Sequence, residues 1–152
     1  MAYTSLSKIY DPLMRDADYD RWAKYTLSFL GKEQLFIADC ACGTGELTVR
    51  IAKAGHSVTG IDLSEDMLRV ASEKARSLGL KIPFTQQDMQ RFALHKKADV
   101  VISTCDGVNY LTSLRDVRRF FLAAYDGLRE NGLLLFDISS RYKLSMILGN
   151  GT

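Results

Sequence analysis

Proline, cysteine and net charge are all scarce in this 152-residue chain, and each scarcity excludes something. The two prolines, Pro12 and Pro83, and the lack of any low-complexity stretch leave no linker, so the reading is one continuous domain over 1–152. The three cysteines, Cys40, Cys42 and Cys105, form no disulfide framework. The single residue between Cys40 and Cys42 suits neither a zinc knuckle nor a thioredoxin-like pair, so both are expected to be small buried fillers in a cytoplasmic protein. The only histidines, His56 and His95, have no metal-ligand spacing, and no metal is expected. Lys plus Arg is 20 and Asp plus Glu is 18, a net charge of +2, which gives no electrostatic argument for nucleic acid or an anionic membrane as partner. No apolar run approaches the ~20 residues of a membrane span, and the start Met1-Ala2-Tyr3-Thr4-Ser5 does not resemble a secretion signal.

What the chain does have is an alternation of short apolar runs and helix-length segments. The runs are Leu35 to Ala38, Ser57 to Ile61, Ile82 to Thr85, Val100 to Ser103 and Leu133 to Phe136. Strands alternating with helices imply parallel pairing, and the nearly continuous apolarity of the first, fourth and fifth runs suits strands covered on both faces. Ser64 is placed to cap a helix beginning Glu65-Asp66, and Gly79 lies where that helix should end. Ser113 and Asp116 resemble a capping box ahead of Val117, Phe120, Phe121, Ala124 and Leu128, with Asn131-Gly132 as the stop. Tyr19, Trp22, Ala23, Thr26 and Leu30 line one face of an earlier helix.

The first run ends at Asp39 and passes through Cys40-Ala41-Cys42-Gly43-Thr44-Gly45 into a helix of about Glu46 to Ala54. Gly43 and Gly45 permit conformations and close approach that side chains would block. The helix start offers free N–H groups, so the turn suits a nucleotide-like ligand. A dinucleotide fingerprint beginning at Gly43 would need a third glycine at position 48, where Thr48 stands, so a nicotinamide oxidoreductase is disfavoured. Asp39, Asp62 and Asp88 each end a strand, one strand–helix unit apart, and in a parallel sheet they open at one carboxyl edge.

The pattern Asp39-x-Ala41-x-Gly43-x-Gly45 resembles motif I of class I S-adenosylmethionine (SAM) dependent methyltransferases, with Ala41 at the first glycine. The resemblance extends over nearly the whole chain. It implies a Rossmann-like α/β fold, a three-layer sandwich with strand order 3-2-1-4-5, and SAM as cofactor. It implies that Asp62 accepts from the ribose hydroxyls, with Leu63 and Met67 beside the adenine. Asp88 would accept from the adenine amino group, with Met89 as an apolar wall. Cys105 would lie beneath the methionine portion. Tyr10, within an N-terminal helical lid segment (1–32), resembles the residue that closes over the cofactor in small-molecule members. Tyr19 and Trp22 suit either that lid or simple packing. Asp106 and Tyr110 are candidate acceptor contacts, and no residue is identified as a catalytic base.

The family pattern continues beyond a fifth strand through a further helix and an antiparallel pair, which the sequence after Asp137 does not accommodate. The expectation is a shortened methyltransferase core whose fifth strand is an apolar edge open to self-association. The function expected is methyl transfer to a small molecule. The alternatives are a non-catalytic SAM-binding fragment and an RNA methyltransferase.

Overall fold

The computed structural model describes residues 19–104 and 111–137. Tyr10, Cys105, Asp106 and Tyr110 lie outside them. The elements run α1 (Tyr19–Leu27), β1 (Phe36–Cys40), α2 (Glu46–Lys53), β2 (Ser57–Asp62), α3 (Glu65–Ser77), β3 (Phe84–Gln86), β4 (Ala98–Ser103), α4 (Leu114–Gly127) and β5 (Leu128–Phe136). The five strands form one sheet in the order β3-β2-β1-β4-β5, every pair parallel, as the sequence implied.

β1 sits at the centre and is buried along its whole length. Its side chains alternate between two cores, as a pleated strand requires. Phe36, Ala38 and Cys40 join Val101 of β4 and Val117, Phe120 and Ala124 of α4 on one face. Ile37 joins Val100 and Ile102 of β4, Leu47 and Ile51 of α2, and Ala23 of α1 on the other. Both cores therefore converge on the strand that leads into the glycine loop.

The helix ends follow local chemistry. Met67 N–H donates to Ser64 Oγ at 3.1 Å and starts α3. Its far end is a Schellman turn, with Gly79 at φ 70°, Leu80 N–H on Ala75 O at 2.9 Å and Gly79 N–H on Arg76 O at 3.0 Å. Ser113 caps α4 by accepting from Asp116 N–H at 3.1 Å, while the Asp116 carboxylate takes the Thr112 hydroxyl at 3.4 Å rather than closing a reciprocal box.

The C-terminal boundary differs from expectation. α4 stops at Gly127, ahead of Asn131-Gly132, and Leu128 already pairs with Ala98 in β5. Between Ala98 and Val100 the partner advances from Leu128 to Leu133, a bulge in which Asn131 takes φ 64°. Asp99 pins it: its carboxylate receives Phe36 N–H at 2.8 Å and pairs with the Arg129 guanidinium. The Asn-Gly signal thus marks an irregularity inside a strand and not the end of a helix.

Candidate functional site

The carboxyl ends of β1 and β2 are stitched together by the loop that follows β1. Cys42 N–H donates to Ile61 O at 3.0 Å and Gly43 N–H donates to Asp62 Oδ2 at 2.8 Å. Ala41, Gly43 and Gly45 have φ of 59°, 59° and 81°. Alternate residues in the left-handed region turn the chain back over the sheet edge, and Gly45 is the N-cap of α2. Ala41 occupies a conformation that favours glycine, which costs an L-residue roughly 1 kcal/mol. Behind the loop, Phe84 fills the space that Gly60 leaves: a Cβ on Gly60 would stand 2.4 Å from the ring, and one on Gly45 would stand 3.7 Å from it.

Asp62 binds both sides of this junction. Its Oδ1 accepts from Ser64 N–H at 2.9 Å while Oδ2 holds Gly43. Each oxygen keeps a second lone pair, and the residue is partly exposed. Burial pushes its carboxyl above the usual range, and the amide hydrogen bonds from Ser64, Gly43 and Leu63 oppose that rise. Leu63, beside it, is 61% exposed, an apolar surface open to a ring. Met67 and Met89 lie below the surface, at 3% and 7% exposure, so they back the wall rather than form its outer face.

Asp88 follows β3, whose end is tied to β2 by Gln87 N–H on Asp62 O at 3.1 Å and Gln86 Nε2 on Leu63 O at 3.0 Å. Its Oδ1 accepts from Gln90 N–H at 2.9 Å and Oδ2 faces Arg91 at 3.4 Å, so the carboxylate also organises its own turn.

Asp39 is buried, and its Oδ2 accepts the Thr48 hydroxyl at 2.7 Å. Burial raises its carboxyl to about 7; the Thr48 bond works against the rise and the charge of Asp62 adds to it. Asp39, Ala41 and Thr44 line a cleft with Leu47, Thr104 and Tyr19, the last reaching in from α1. Burial also pushes the Cys40 and Cys42 thiols well up, which removes them as nucleophiles. His56 Nδ1 accepts Leu35 N–H at 3.1 Å, and His95 packs on Phe36.

Two participants escaped the sequence. Thr48 counted there only as a missing glycine, although it stands on α2 where its hydroxyl reaches back to Asp39. Phe84 looked like an ordinary strand residue, and the signal for its position was Gly60 in the neighbouring strand.

Comparison with known proteins places this geometry. The family model described as a methyltransferase domain matches residues 37–132, from β1 to the bulge in β5. The chain belongs to the methyltransferase-domain family. A protein of Geobacillus sp. (strain WCH70) named as a methyltransferase is 44% identical over 151 residues, which is 97% of this chain and 61% of that protein. YqeM of Bacillus subtilis (strain 168), also named as a methyltransferase, is 40% identical over 153 residues, again 61% of its length. Among solved structures, the SAM-dependent methyltransferase from Clostridium acetobutylicum ATCC 824 superposes with a TM-score of 0.80 at 35% identity, covering 99% of this chain and 63% of its own. The chain therefore spans about three fifths of the length of these relatives, and its fold is that of SAM-dependent methyltransferases. No helix among the described residues is long and apolar enough to cross a membrane.

Proposed function

We propose that this methyltransferase binds SAM across the carboxyl ends of β1 to β4 and transfers its methyl group to a small-molecule acceptor. The observation that carries the reading is Asp62, a partly exposed carboxylate held on both oxygens by backbone amides directly beside a left-handed loop. A carboxylate so fixed suits paired hydroxyls, because its orientation is set before a ligand arrives and two lone pairs remain. Leu63 offers apolar surface beside such a ribose, and Asp88 offers an acceptor to an exocyclic amine one strand further on.

The cleft lined by Asp39 and Ala41 reaches Thr104, just past the end of β4, where the amino-acid portion of the cofactor would lie. The residues fit the group: SAM carries a sulfonium and an ammonium, and this edge presents the carboxylates Asp39, Asp62 and Asp88. Bound SAM supplies a methyl group on a sulfonium, which is already an excellent leaving group. The chain's own contribution is to hold and orient, and holding a nucleophile in line with its target accounts for the greater share of such an acceleration. The near-neutral charge favours a small acceptor over RNA.

Isothermal calorimetry with SAM and S-adenosylhomocysteine tests the reading. Wild type should bind both, and Asp62→Ala, checked for folding by circular dichroism, should bind about a hundredfold more weakly through loss of two charge-assisted hydrogen bonds. Equal affinity in the two proteins would refute the ribose assignment. Binding of NADH without SAM would refute the cofactor.

A further inference from the structure

The cleft is closed on one side by Tyr19, the first residue of α1, and that helix rests on the sheet through Ala23, with Trp22 and Leu27 packed beside it. Only Ala23 and Thr26 of its nine residues are buried. Its first turn, which carries Tyr19 and Asp20, is met by Arg50 of α2. Its Nε donates to Asp20 Oδ1 at 2.7 Å, across from α2 to α1. Its Nη1 donates to Glu46 Oε1 at 2.6 Å and to Glu46 O at 2.9 Å, one turn back towards the glycine loop. Its guanidinium carbon lies 5.5 Å from the centre of the Tyr19 ring. Glu46 in turn pairs with Lys74 of α3.

One side chain thus ties the helix bearing Tyr19 to the helix that begins at the glycine loop, and through Glu46 to the helix that begins beside Asp62. Arginine suits this task, because its fork satisfies two carboxylates while its flat face stays available to a ring.

We infer that Arg50 is a positioning residue: a latch that fastens α1 to α2 and so holds Tyr19 against the amino-acid half of the cofactor. The inference rests on the proposed SAM reading for its ligand. It separates the cofactor into two halves with different dependence on Arg50. The adenosine half meets Asp62, Leu63 and Asp88, which the latch does not touch. The amino-acid half meets the cleft that Tyr19 closes.

Two probes distinguish the halves: S-adenosylhomocysteine has both, and 5′-methylthioadenosine lacks the amino-acid part. Arg50→Gln should weaken S-adenosylhomocysteine about fivefold, as expected for one ion pair and one cation–π contact near the surface, and leave methylthioadenosine unchanged. Trp22, the sole tryptophan, stands on α1 and packs against the core of that face. Its fluorescence should therefore be more readily quenched by acrylamide in Arg50→Gln than in wild type, with or without ligand. Equal losses for both probes would make Arg50 a general support of the loop and overturn the latch. So would unchanged affinities, or unchanged Trp22 quenching. If wild type bound neither probe, the cofactor reading would fall, and unchanged quenching in the free protein would then overturn the fastening by itself.

Discussion

Replacing Asp39 by asparagine should change how this protein's stability depends on pH. Burial raises the Asp39 carboxyl from 3.8 to about 7 in the folded chain. The unfolded chain releases that proton near the ordinary value, so between the two values the folded state holds more protons. Stability then falls as pH rises across that window. The contribution is fully present below the unfolded value and gone above the folded one. A tenfold change in proton affinity is worth about 1.4 kcal/mol, so the single group accounts for at most about 4 kcal/mol between pH 4 and pH 7.5, and water entering the cleft reduces it. Asp39→Asn has nearly the same shape, carries no charge, and its amide oxygen can still accept the Thr48 hydroxyl. Its stability relative to wild type should therefore rise over that interval and level off above it. Urea unfolding followed by circular dichroism at unit steps of pH measures the difference directly. Asp62 is raised too and is present in both proteins, so it cancels except for its repulsion with the Asp39 charge, which the substitution removes. Parallel stability curves from pH 4 to pH 8 would refute the reasoning. Thr48→Val supplies an internal check: losing the bond that holds the carboxyl down should move the inflection to higher pH.

Two further predictions concern the loop and its backing. Ala41→Gly relieves a left-handed residue at φ 59° and should raise the stability by up to about 1 kcal/mol, read as a higher urea midpoint. Gly60→Ala places a methyl group 2.4 Å from the Phe84 ring and should destabilise by about 1–3 kcal/mol. Combining it with Phe84→Leu should recover part of that loss, a non-additivity that a double-mutant cycle would expose.

How far the sequence carried depended on whether a feature was local. The parallel pairing followed from apolar runs separated by helices, the strand order from the resemblance to the methyltransferase family, and the cap at Ser64 from a hydroxyl one turn ahead of a free amide. The loop at Asp39 to Gly45 was legible for the same reason, since its conformation is dictated by the residues it contains. The end of α4 was not. Asn131-Gly132 carries a strong local turn signal, but the pairing of Leu128 with Ala98 and the hold of Asp99 on Arg129 start the strand earlier. Those partners are distant in sequence and leave no periodicity behind. The same holds within the site. Thr48 on Asp39 and Arg50 on Asp20 are side-chain meetings between elements, set by how the elements dock and not by any motif.

The bonds from Cys42 to Ile61 and from Gly43 to Asp62 continue the ladder between β1 and β2 past the last residue of β1. The loop after β1 is therefore woven into the most deeply covered part of the sheet and has no hinge of its own at that end. A loop hung from a scaffold softens before the scaffold melts. This one has no such independence: warming should leave its shape intact until the central strands part, and then remove loop and fold in one step.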